Sequence, residues 1–184
     1  MSPRVIAGKA KGRKLKSVPG ETTRPVTDRV KEALFNILAG DVIDSNWWDL
    51  FGGTGAIGIE ALSRGATFVR FTDANRAPIE TIKFNVEHCG FSGQSEIRRG
   101  DAFTLLSATS DRQFDYIYIA PPQYKEMWIK ALELLDENIN WLSDDGWVVV
   151  QIAPKEYKTL LLENLEEFEQ RKYGTTLLVF FERK

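Results

Sequence analysis

The chain has 184 residues, of which 43% are hydrophobic and 27% are charged. This composition is typical of a folded globular protein and excludes a largely disordered one. The length predicts a single domain, residues 1–184, and excludes a catalytic domain joined to a separate large recognition domain. The formal net charge is only −2, so any charged partner must be inferred from how the charge is distributed.

Composition also argues against several kinds of site and location. One cysteine, Cys89, excludes an intramolecular disulfide. Together with the single histidine, His88, it supplies too few ligands for a Cys/His zinc site, so we expect no metal. No apolar run approaches the roughly 20 residues that span a bilayer, and no signal-peptide core follows Met1. We therefore expect a cytoplasmic protein without a membrane partner.

The first 31 residues are strongly basic. They hold nine Lys and Arg against two acidic residues, a net charge of +7, which leaves −9 on the remainder. Such a segment indicates a partner that carries phosphate. Runs at 4–7 and 14–18, separated by Gly8 and Gly12, predict a small basic β-hairpin within residues 1–26, ahead of a core over 27–184. The candidate phosphate-binding residues are Arg4, Lys9, Lys11, Arg13, Lys14 and Arg24.

Strands and helices then alternate along the chain. The first helix is predicted over 27–38, with Thr27 as N-cap and Gly40 as terminator. The further predicted helices are 56–63, 78–88, 102–108, 125–135 and 155–165, and the predicted strands are 46–51, 67–72, 95–98, 114–119, 146–152, 167–173 and 175–182. Alternation of this kind predicts an α/β fold with a seven-stranded, mostly parallel sheet and helices on both faces. The last two strands flank Gly174 and predict a C-terminal antiparallel hairpin.

A glycine-rich turn joins the first strand to the next helix. The segment Asp49–Gly58 reads DLFGGTGAIG, and Gly53 and Gly55 permit a tight turn and close approach of the backbone to a ligand. Gly53, Gly55 and Gly58 have the spacing of the dinucleotide-binding fingerprint. That spacing also fits any tight turn from a strand into a helix.

Acidic residues end three successive strands and narrow the class of ligand. Asp49 precedes a helix N-terminus, where a carboxylate would repel a pyrophosphate but attract a cationic ligand. S-adenosylmethionine carries an ammonium and a sulfonium and has no phosphate. Asp73 is placed to hydrogen-bond a ribose, and Asp101 an adenine amine, although Asp101 equally fits a helix N-cap before Ala102. The candidate cofactor-binding residues are Asp49, Phe51, Gly53, Gly55, Asp73, Asp101 and Ala102.

The fourth predicted strand ends in two consecutive prolines. Its continuation is Ala120-Pro121-Pro122-Gln123-Tyr124, and each proline holds the residue before it in an extended conformation. A rigid turn of this kind presents backbone carbonyls, and the ring of Tyr124 is suited to stacking on a base. These five residues are the candidate catalytic segment. A strand terminator followed by a core tyrosine is the alternative.

Three segments together resemble the RsmD family of bacterial methyltransferases, which modify a guanine exocyclic amine in small-subunit ribosomal RNA. They are DLFGGTGAIGIEALSRGA at 49–66, TRPVTDRVKEALFNIL at 23–38 and the double-proline turn. The resemblance implies a Rossmann-like class I methyltransferase with S-adenosylmethionine as donor. It also implies that the basic N-terminal extension binds RNA, with ribosomal RNA or the small subunit as partner. We expect a monomer.

One position departs from the family pattern. The family usually has Asp-Pro-Pro-Tyr or Asp-Pro-Pro-Phe after the fourth strand, whereas this chain has Ala120 in place of the acid and Gln123 in place of the aromatic residue. A carboxylate accepting a hydrogen would localise the lone pair of the amine and orient it. A general base typically accelerates a reaction by about 10²- to 10⁴-fold. The Pro121 carbonyl and the Gln123 side-chain oxygen are the acceptors that remain.

Three other functions remain open on sequence grounds. Ala120 allows a cofactor-binding protein that has lost catalysis and acts as an RNA-binding or assembly factor. A DNA adenine-amine methyltransferase shares a similar double-proline turn, although this chain leaves no length for a separate target-recognition domain. An NAD-dependent oxidoreductase fits the glycine spacing alone, and Asp49 argues against it.

Overall fold

The computed structural model describes residues 2–20 and 26–184. The chain divides into two compact units, Met1–Gly100 and Asp101–Lys184. The predicted division into an arm of 1–26 and a core of 27–184 remains a prediction.

Seven strands form one sheet in the order β3-β2-β1-β4-β5-β7-β6. The strands are β1 Asn46–Asp49, β2 Phe68–Asp73, β3 Ser95–Arg99, β4 Phe114–Ile119, β5 Leu142–Ile152, β6 Leu165–Tyr173 and β7 Thr176–Arg183. The pairs β1–β2, β2–β3 and β4–β5 are parallel, and β7 runs antiparallel to both β5 and β6. This confirms the predicted mostly parallel sheet with its C-terminal antiparallel hairpin.

Five α-helices occur among the described residues. They are α1 Asp28–Leu38, α2 Ala56–Ser63, α3 Arg76–His88, α4 Ala102–Ser107 and α5 Met127–Glu137. The predicted N-cap of α1 is confirmed, because the Thr27 hydroxyl accepts the N–H of Val30 at 3.3 Å. The predicted terminator is wrong: α1 ends at Leu38, and Ala39 takes the positive φ of 47°.

The first unit packs α2 tightly against β2. Every residue of α2 is buried. A Cβ on Gly58 would lie 2.3 Å from Cε1 of Phe71 and 2.7 Å from Cγ1 of Val69. Both neighbours are fully buried side chains of β2, so only a residue without a side chain permits this approach.

The basic N-terminal segment folds back on itself as an antiparallel turn, as predicted, although the pairing is too short to form regular strands. An antiparallel bridge joins Arg4 to Lys14. It is flanked by backbone hydrogen bonds within the segment, in which Val5, Gly12 and Leu15 donate to the carbonyls of Arg13, Val5 and Pro3 at 2.9, 2.8 and 2.7 Å. The backbone at the tip also bonds to α2. The N–H groups of Lys9 and Ala10 donate to the carbonyl and hydroxyl of Ser63 at 2.8 and 2.9 Å. Gly8 lies so close that a Cβ there would be 1.9 Å from the Ser63 carbonyl oxygen. Docking on α2 therefore adds to the antiparallel pairing in this segment, residues 2–20, which we call the basic arm.

The helix predicted over 155–165 is also wrong. Only a short 3-10 turn forms at Pro154–Glu156, and β6 begins at Leu165. The Asp136 carboxylate, in α5, accepts the N–H groups of Glu163, Asn164 and Leu165, each at 2.8 Å. These N–H groups are thereby bonded outside their own segment and cannot join an α-helical ladder. No described helix is long and apolar enough to cross a membrane.

The close approach at Gly58 predicts the effect of adding one methyl group. Alanine has the better helix propensity by about 1 kcal/mol, but overpacking a rigid core costs about 1–3 kcal/mol. The methyl group would meet buried Phe71 at 2.3 Å, so we expect Gly58→Ala to lower the free energy of unfolding. Urea denaturation measures the change.

Gly93→Ala is the matched control, because nothing lies within 4 Å of a Cβ built there. We expect it to unfold at the wild-type urea concentration. A Gly58→Ala protein as stable as wild type would contradict this account of the α2–β2 contact.

Candidate functional site

The glycine loop after β1 is a tight turn anchored to β2. Gly53 and Gly55 have positive φ values of 57° and 81°, which a residue with a side chain rarely adopts. The N–H of Gly52 donates to the Thr72 carbonyl at 2.7 Å. A Cβ on Gly53 would project into open space, with no atom within 4 Å. Backbone at that point is therefore accessible to a ligand.

Asp49 is buried at the start of this loop and caps α2. Its side chain is 2% exposed and accepts the N–H of Gly58 at 3.3 Å. Burial raises the pKa of Asp49 to about 7; the Gly58 hydrogen bond lowers it and the nearby charge of Asp73 raises it. Such a carboxyl is costly to ionise unless a cation approaches.

The first N–H groups of α2 are already partly satisfied. The Ala56 N–H donates to the Thr54 hydroxyl at 3.3 Å, and the Gly58 N–H donates to Asp49. A helix N-terminus binds phosphate through free N–H groups and a positive end. Here a hydroxyl and a carboxylate take two of those groups, which disfavours a pyrophosphate and favours a cationic ligand.

Asp73 and Phe51 border the same loop in the first unit. Asp73 ends β2, and its carboxylate accepts the N–H of Gly53 at 3.2 Å and that of Asn75 at 3.0 Å. Phe51 and Asp73 are both half-buried. The structure therefore brings together the predicted cofactor residues Asp49, Phe51, Gly53, Gly55 and Asp73 in one compact unit.

Asp101 and Ala102 begin the second unit. The Asp101 carboxylate is the N-cap of α4 and accepts the N–H and hydroxyl of Thr104 at 2.9 and 3.0 Å. Ala102 is buried. Asp101 borders an open groove of about 480 Å³, together with Phe103 and Lys130. The N-cap alternative for Asp101 is thus correct, and its cofactor role remains a prediction.

The candidate catalytic segment follows β4 in the second unit. Ala120 and Pro121 are half-buried, whereas Pro122, Gln123 and Tyr124 are exposed. Tyr124 is 68% exposed, so the alternative of a core tyrosine is wrong. Its φ is +62°, an uncommon value for a residue with a side chain. Such a conformation persists only where surrounding contacts hold it.

Glu156 supplies that contact. One carboxylate oxygen accepts the N–H of Tyr124 at 2.7 Å, and the other accepts the N–H of Ala153 at 2.9 Å. A second tie comes from the ion pair between Lys158 and Glu126, which also has a positive φ. Glu156 therefore joins the turn after β5 to the backbone of the candidate catalytic segment.

The charged side chains of the basic arm lie at the surface. Lys9, Lys11, Arg13 and Lys14 are exposed, and Arg4 pairs with Asp28 at 2.8 Å while staying 63% exposed. Arg24 lies outside the described residues. The cations predicted to contact phosphate, Arg24 aside, are thus carried by one docked segment.

A buried carboxylate holds the arm in place. Glu60, 0% exposed, accepts the N–H groups of Ile6 and Ala7 at 2.8 and 3.2 Å. It also pairs with Lys31 at 3.3 Å and with Arg64 at 3.3 Å. Burial lowers the pKa of Lys31, and the charge of Glu60 opposes this. Lys31 in turn donates to the Arg4 carbonyl.

Asn85 connects the arm to the glycine loop. It is fully buried in α3, accepts the N–H of Lys16 at 2.7 Å and donates to the Lys16 carbonyl at 3.0 Å. Its amide also donates to the Thr54 carbonyl at 2.9 Å. The conformation of the loop and the position of the arm thus share one side chain.

Sequence reasoning missed Glu60, Asn85 and Glu156. The available signal for the first two was a polar residue at an apolar position of a helix, since a buried polar side chain must be hydrogen-bonded. Glu156 follows Pro154 in the segment wrongly predicted as a helix and accepts the N–H of Ala153. No sequence motif marked it, because Ala153 lacks the side-chain oxygen that a capping box requires.

No group of three or more His, Cys, Asp or Glu residues in the described ranges is placed to hold a metal ion. This finding concerns residues 2–20 and 26–184 only.

Comparison with known proteins agrees with this geometry. The chain is 36% identical over 183 residues to "Putative rRNA methyltransferase YlbH" of Bacillus subtilis, covering 98% of this chain and 99% of that protein. It is 33% identical to "Ribosomal RNA small subunit methyltransferase D" of Haemophilus influenzae, over 93% of this chain and 89% of the relative.

A solved structure and a family model complete the comparison. The structure titled "Putative methyltransferase yhhF from Escherichia coli" superposes with a TM-score of 0.88 at 28% identity, covering 100% of this chain and 99% of that one. This confirms the predicted class I methyltransferase-like fold. The family model "Conserved hypothetical protein 95" matches residues 3–182. The chain therefore belongs to the family of RsmD-like methyltransferases that this model describes.

Proposed function

We propose that this protein transfers a methyl group from S-adenosylmethionine to the exocyclic amine of a guanine in small-subunit ribosomal RNA. The observation that carries the cofactor assignment is the start of α2, where Thr54 and Asp49 take N–H groups that a pyrophosphate would need. The assignment of ribosomal RNA rests on the names of the relatives that cover almost the whole chain.

The first unit carries most of the residues that would hold the cofactor. Asp49 would bind the ammonium end, the open backbone at Gly53 and Gly55 would follow the ligand, and Asp73 would accept ribose hydroxyls. Phe51 would cover the ligand from the same loop. In the second unit, Asp101 and Ala102 would contact the adenine. When bound, S-adenosylmethionine supplies a methyl group activated by its positively charged sulfur.

The second unit also carries the residues proposed to handle the acceptor. An exocyclic amine is a weak nucleophile, because its lone pair is delocalised into the ring. The Pro121 carbonyl and the Gln123 side-chain oxygen would each accept a hydrogen bond from an N–H of the amine, and these bonds would orient its lone pair. The exposed ring of Tyr124 would stack on the guanine. Ala120 and Pro122 would shape the turn.

The basic arm would position the RNA. Lys9, Lys11, Arg13 and Lys14 are exposed on it, and contacts of such side chains to phosphate fix a register without reading sequence. We propose that Arg4 and Arg24 add to the same contacts. A base within structured RNA must leave its stack to reach an active site. We further propose that the protein acts as a monomer.

A second candidate function follows from Ala120. Without an acidic side chain at this position, the protein would be a binding or assembly factor that retains the cofactor loop but transfers methyl groups poorly. Such a protein would bind the cofactor and RNA with ordinary affinity.

Methyl transfer to undermethylated small ribosomal subunits tests the proposal directly. We expect label from S-adenosylmethionine on a guanine amine after digestion of the RNA, and we expect Asp49→Ala to abolish it.

We expect Ala120→Asp to raise kcat. The increase should be smaller than the roughly 10²- to 10⁴-fold acceleration that a general base provides, because the Pro121 and Gln123 oxygens already contribute. Failure of wild type to transfer methyl while it binds S-adenosylhomocysteine, with transfer restored in Ala120→Asp, would support the second candidate.

Cofactor affinity should depend on pH through Asp49. A cation is attracted by the carboxylate and not by the neutral acid, and the pKa of the unliganded group is about 7. Affinity for S-adenosylhomocysteine should therefore fall as the pH is lowered through 7, approaching tenfold per pH unit on the acid side. Isothermal titration calorimetry across this range measures the profile.

Asp49→Asn is the matched control, since it keeps the size of the side chain and cannot ionise. We expect Asp49→Asn to bind S-adenosylhomocysteine more weakly than wild type does, and we expect its affinity to change with pH only through the titration of the ligand's own groups. Parallel profiles for the two proteins would show that Asp49 does not meet the ammonium group.

Glu156 should influence methyl transfer without influencing cofactor binding. Glu156→Gln replaces one of the two acceptor oxygens by an amide that cannot accept the N–H of Tyr124 or Ala153. We expect kcat/KM for the RNA substrate to fall about 10- to 150-fold, since a hydrogen bond to a charged group contributes about 1.5–3 kcal/mol. Glu163→Gln, at an exposed position, is the control. An unchanged kcat/KM in Glu156→Gln would contradict a positioning role.

A further inference from the structure

An exposed aromatic side chain lies beside the basic arm. Phe84, in α3, is 48% exposed and stacks on His88, with ring centroids 5.8 Å apart and planes inclined by 13°. The Lys16 ammonium lies 4.7 Å from the centre of the Phe84 ring, within cation–π range. We call Lys16, Phe84 and His88 the Phe84 cluster. Lys16 belongs to the basic arm but is not among the cations proposed above to contact phosphate, and Phe84 and His88 lie outside the sites described above.

Hydrogen bonds to the backbone fix the chain beneath the cluster. Asn85 holds both backbone groups of Lys16 and is itself 0% exposed. The Arg13 guanidinium donates to the His88 carbonyl and so ties the arm to the end of α3. The cluster is therefore a built surface and not the accidental meeting of flexible side chains.

The charge around the cluster is mainly positive. Arg13 and Lys16 contact it, and Lys11 and Lys14 are exposed on the same arm. The exposed acids of the neighbouring helix turns are Glu80, which pairs with Lys83 at 3.7 Å, and Glu87. The surface thus combines exposed aromatic rings with an excess of cations.

These properties match one class of ligand. An unpaired nucleotide offers a flat π face to an aromatic ring and a phosphate to a nearby cation. A duplex buries its base faces and would use the cations alone. An acidic protein segment would likewise use the cations and leave the rings without a role.

We propose that the Phe84 cluster binds an unpaired nucleotide of the RNA substrate, with the Lys16 ammonium moving from the Phe84 ring to the phosphate and the base taking its place against Phe84. The inference rests on the proposed function, because it takes RNA as the substrate. It adds a second stacking contact, on the first unit, to the one proposed for Tyr124. A flanking base held there would help to keep the target region single-stranded.

Fluorescence anisotropy with a short labelled single-stranded RNA of mixed sequence, and the same sequence as a duplex, tests the inference. We expect Phe84→Ala to weaken single-strand binding about 5- to 100-fold, the range for loss of one base–aromatic stack. Duplex binding should not change. Phe84→Trp should bind as wild type, because it keeps a ring at this position.

Salt dependence separates stacking from charge. Lys16→Gln should lower the slope of log affinity against log salt by about 0.7, the value for one phosphate contact to a single strand. Phe84→Ala should leave the slope unchanged. Ile43→Ala removes another exposed apolar side chain of the first unit and is the control. Unchanged binding of S-adenosylhomocysteine by each variant verifies that the fold is intact.

Several results would overturn the inference. Phe84→Ala could bind single-stranded RNA as tightly as wild type, or it could lose the same affinity for duplex RNA as for the single strand. Wild type could bind neither RNA. Wild type could also self-associate, with Phe84→Ala abolishing the self-association. Methyl transfer to small ribosomal subunits, measured in parallel, separates the two proposals. Wild type that needs Phe84 for single-strand binding but transfers no methyl contradicts the proposed function alone. If wild type transfers methyl and Phe84→Ala binds single-stranded RNA as wild type does, this inference alone is contradicted.

Discussion

The burial of Glu60 is the constraint on which the first unit depends. A carboxylate removed from water is tolerated only where cations and hydrogen-bond donors surround it. Glu60 meets this demand with Lys31, Arg64 and the N–H groups of Ile6 and Ala7. These partners come from α1, from Arg64 at the C-cap of α2 and from the basic arm. One buried charge therefore fixes the positions of three segments.

From Glu60, ordered contacts extend to both functional surfaces of this unit. The arm continues from Ile6 to Lys16, whose backbone is held by Asn85, and Asn85 also holds Thr54 in the glycine loop. The proposed RNA contacts and the proposed cofactor loop are thus parts of one hydrogen-bonded arrangement. Preorganisation of this kind reduces the ordering cost of binding a flexible ligand.

The second unit uses buried or bridging carboxylates in the same manner. Asp136 accepts three consecutive N–H groups and turns the chain into β6. Glu156 accepts two N–H groups and holds Tyr124 in a backbone conformation that is uncommon for its residue type. In each case a side chain satisfies backbone donors that regular secondary structure would otherwise pair. The irregular segments are consequently held by specific hydrogen bonds, as the strands they join are.

Local pattern by itself determined the strands, most helices and the glycine loop. Period, caps and turn residues act within a few neighbours, so Thr27, Gly53, Gly55 and the strand ending before Ala120 were all readable from the sequence. Tertiary structure decided where backbone groups find distant partners: the arm bonds to Ser63 as well as to itself, and Asp136 takes the N–H groups at the end of the helix predicted over 155–165. It also decided that Asp49 caps α2 from a buried position and that Phe84 lies beside Lys16. Such contacts join residues far apart in the chain, and no local preference encodes them, because the hydrogen-bonding demand of a buried polar group is met only after folding.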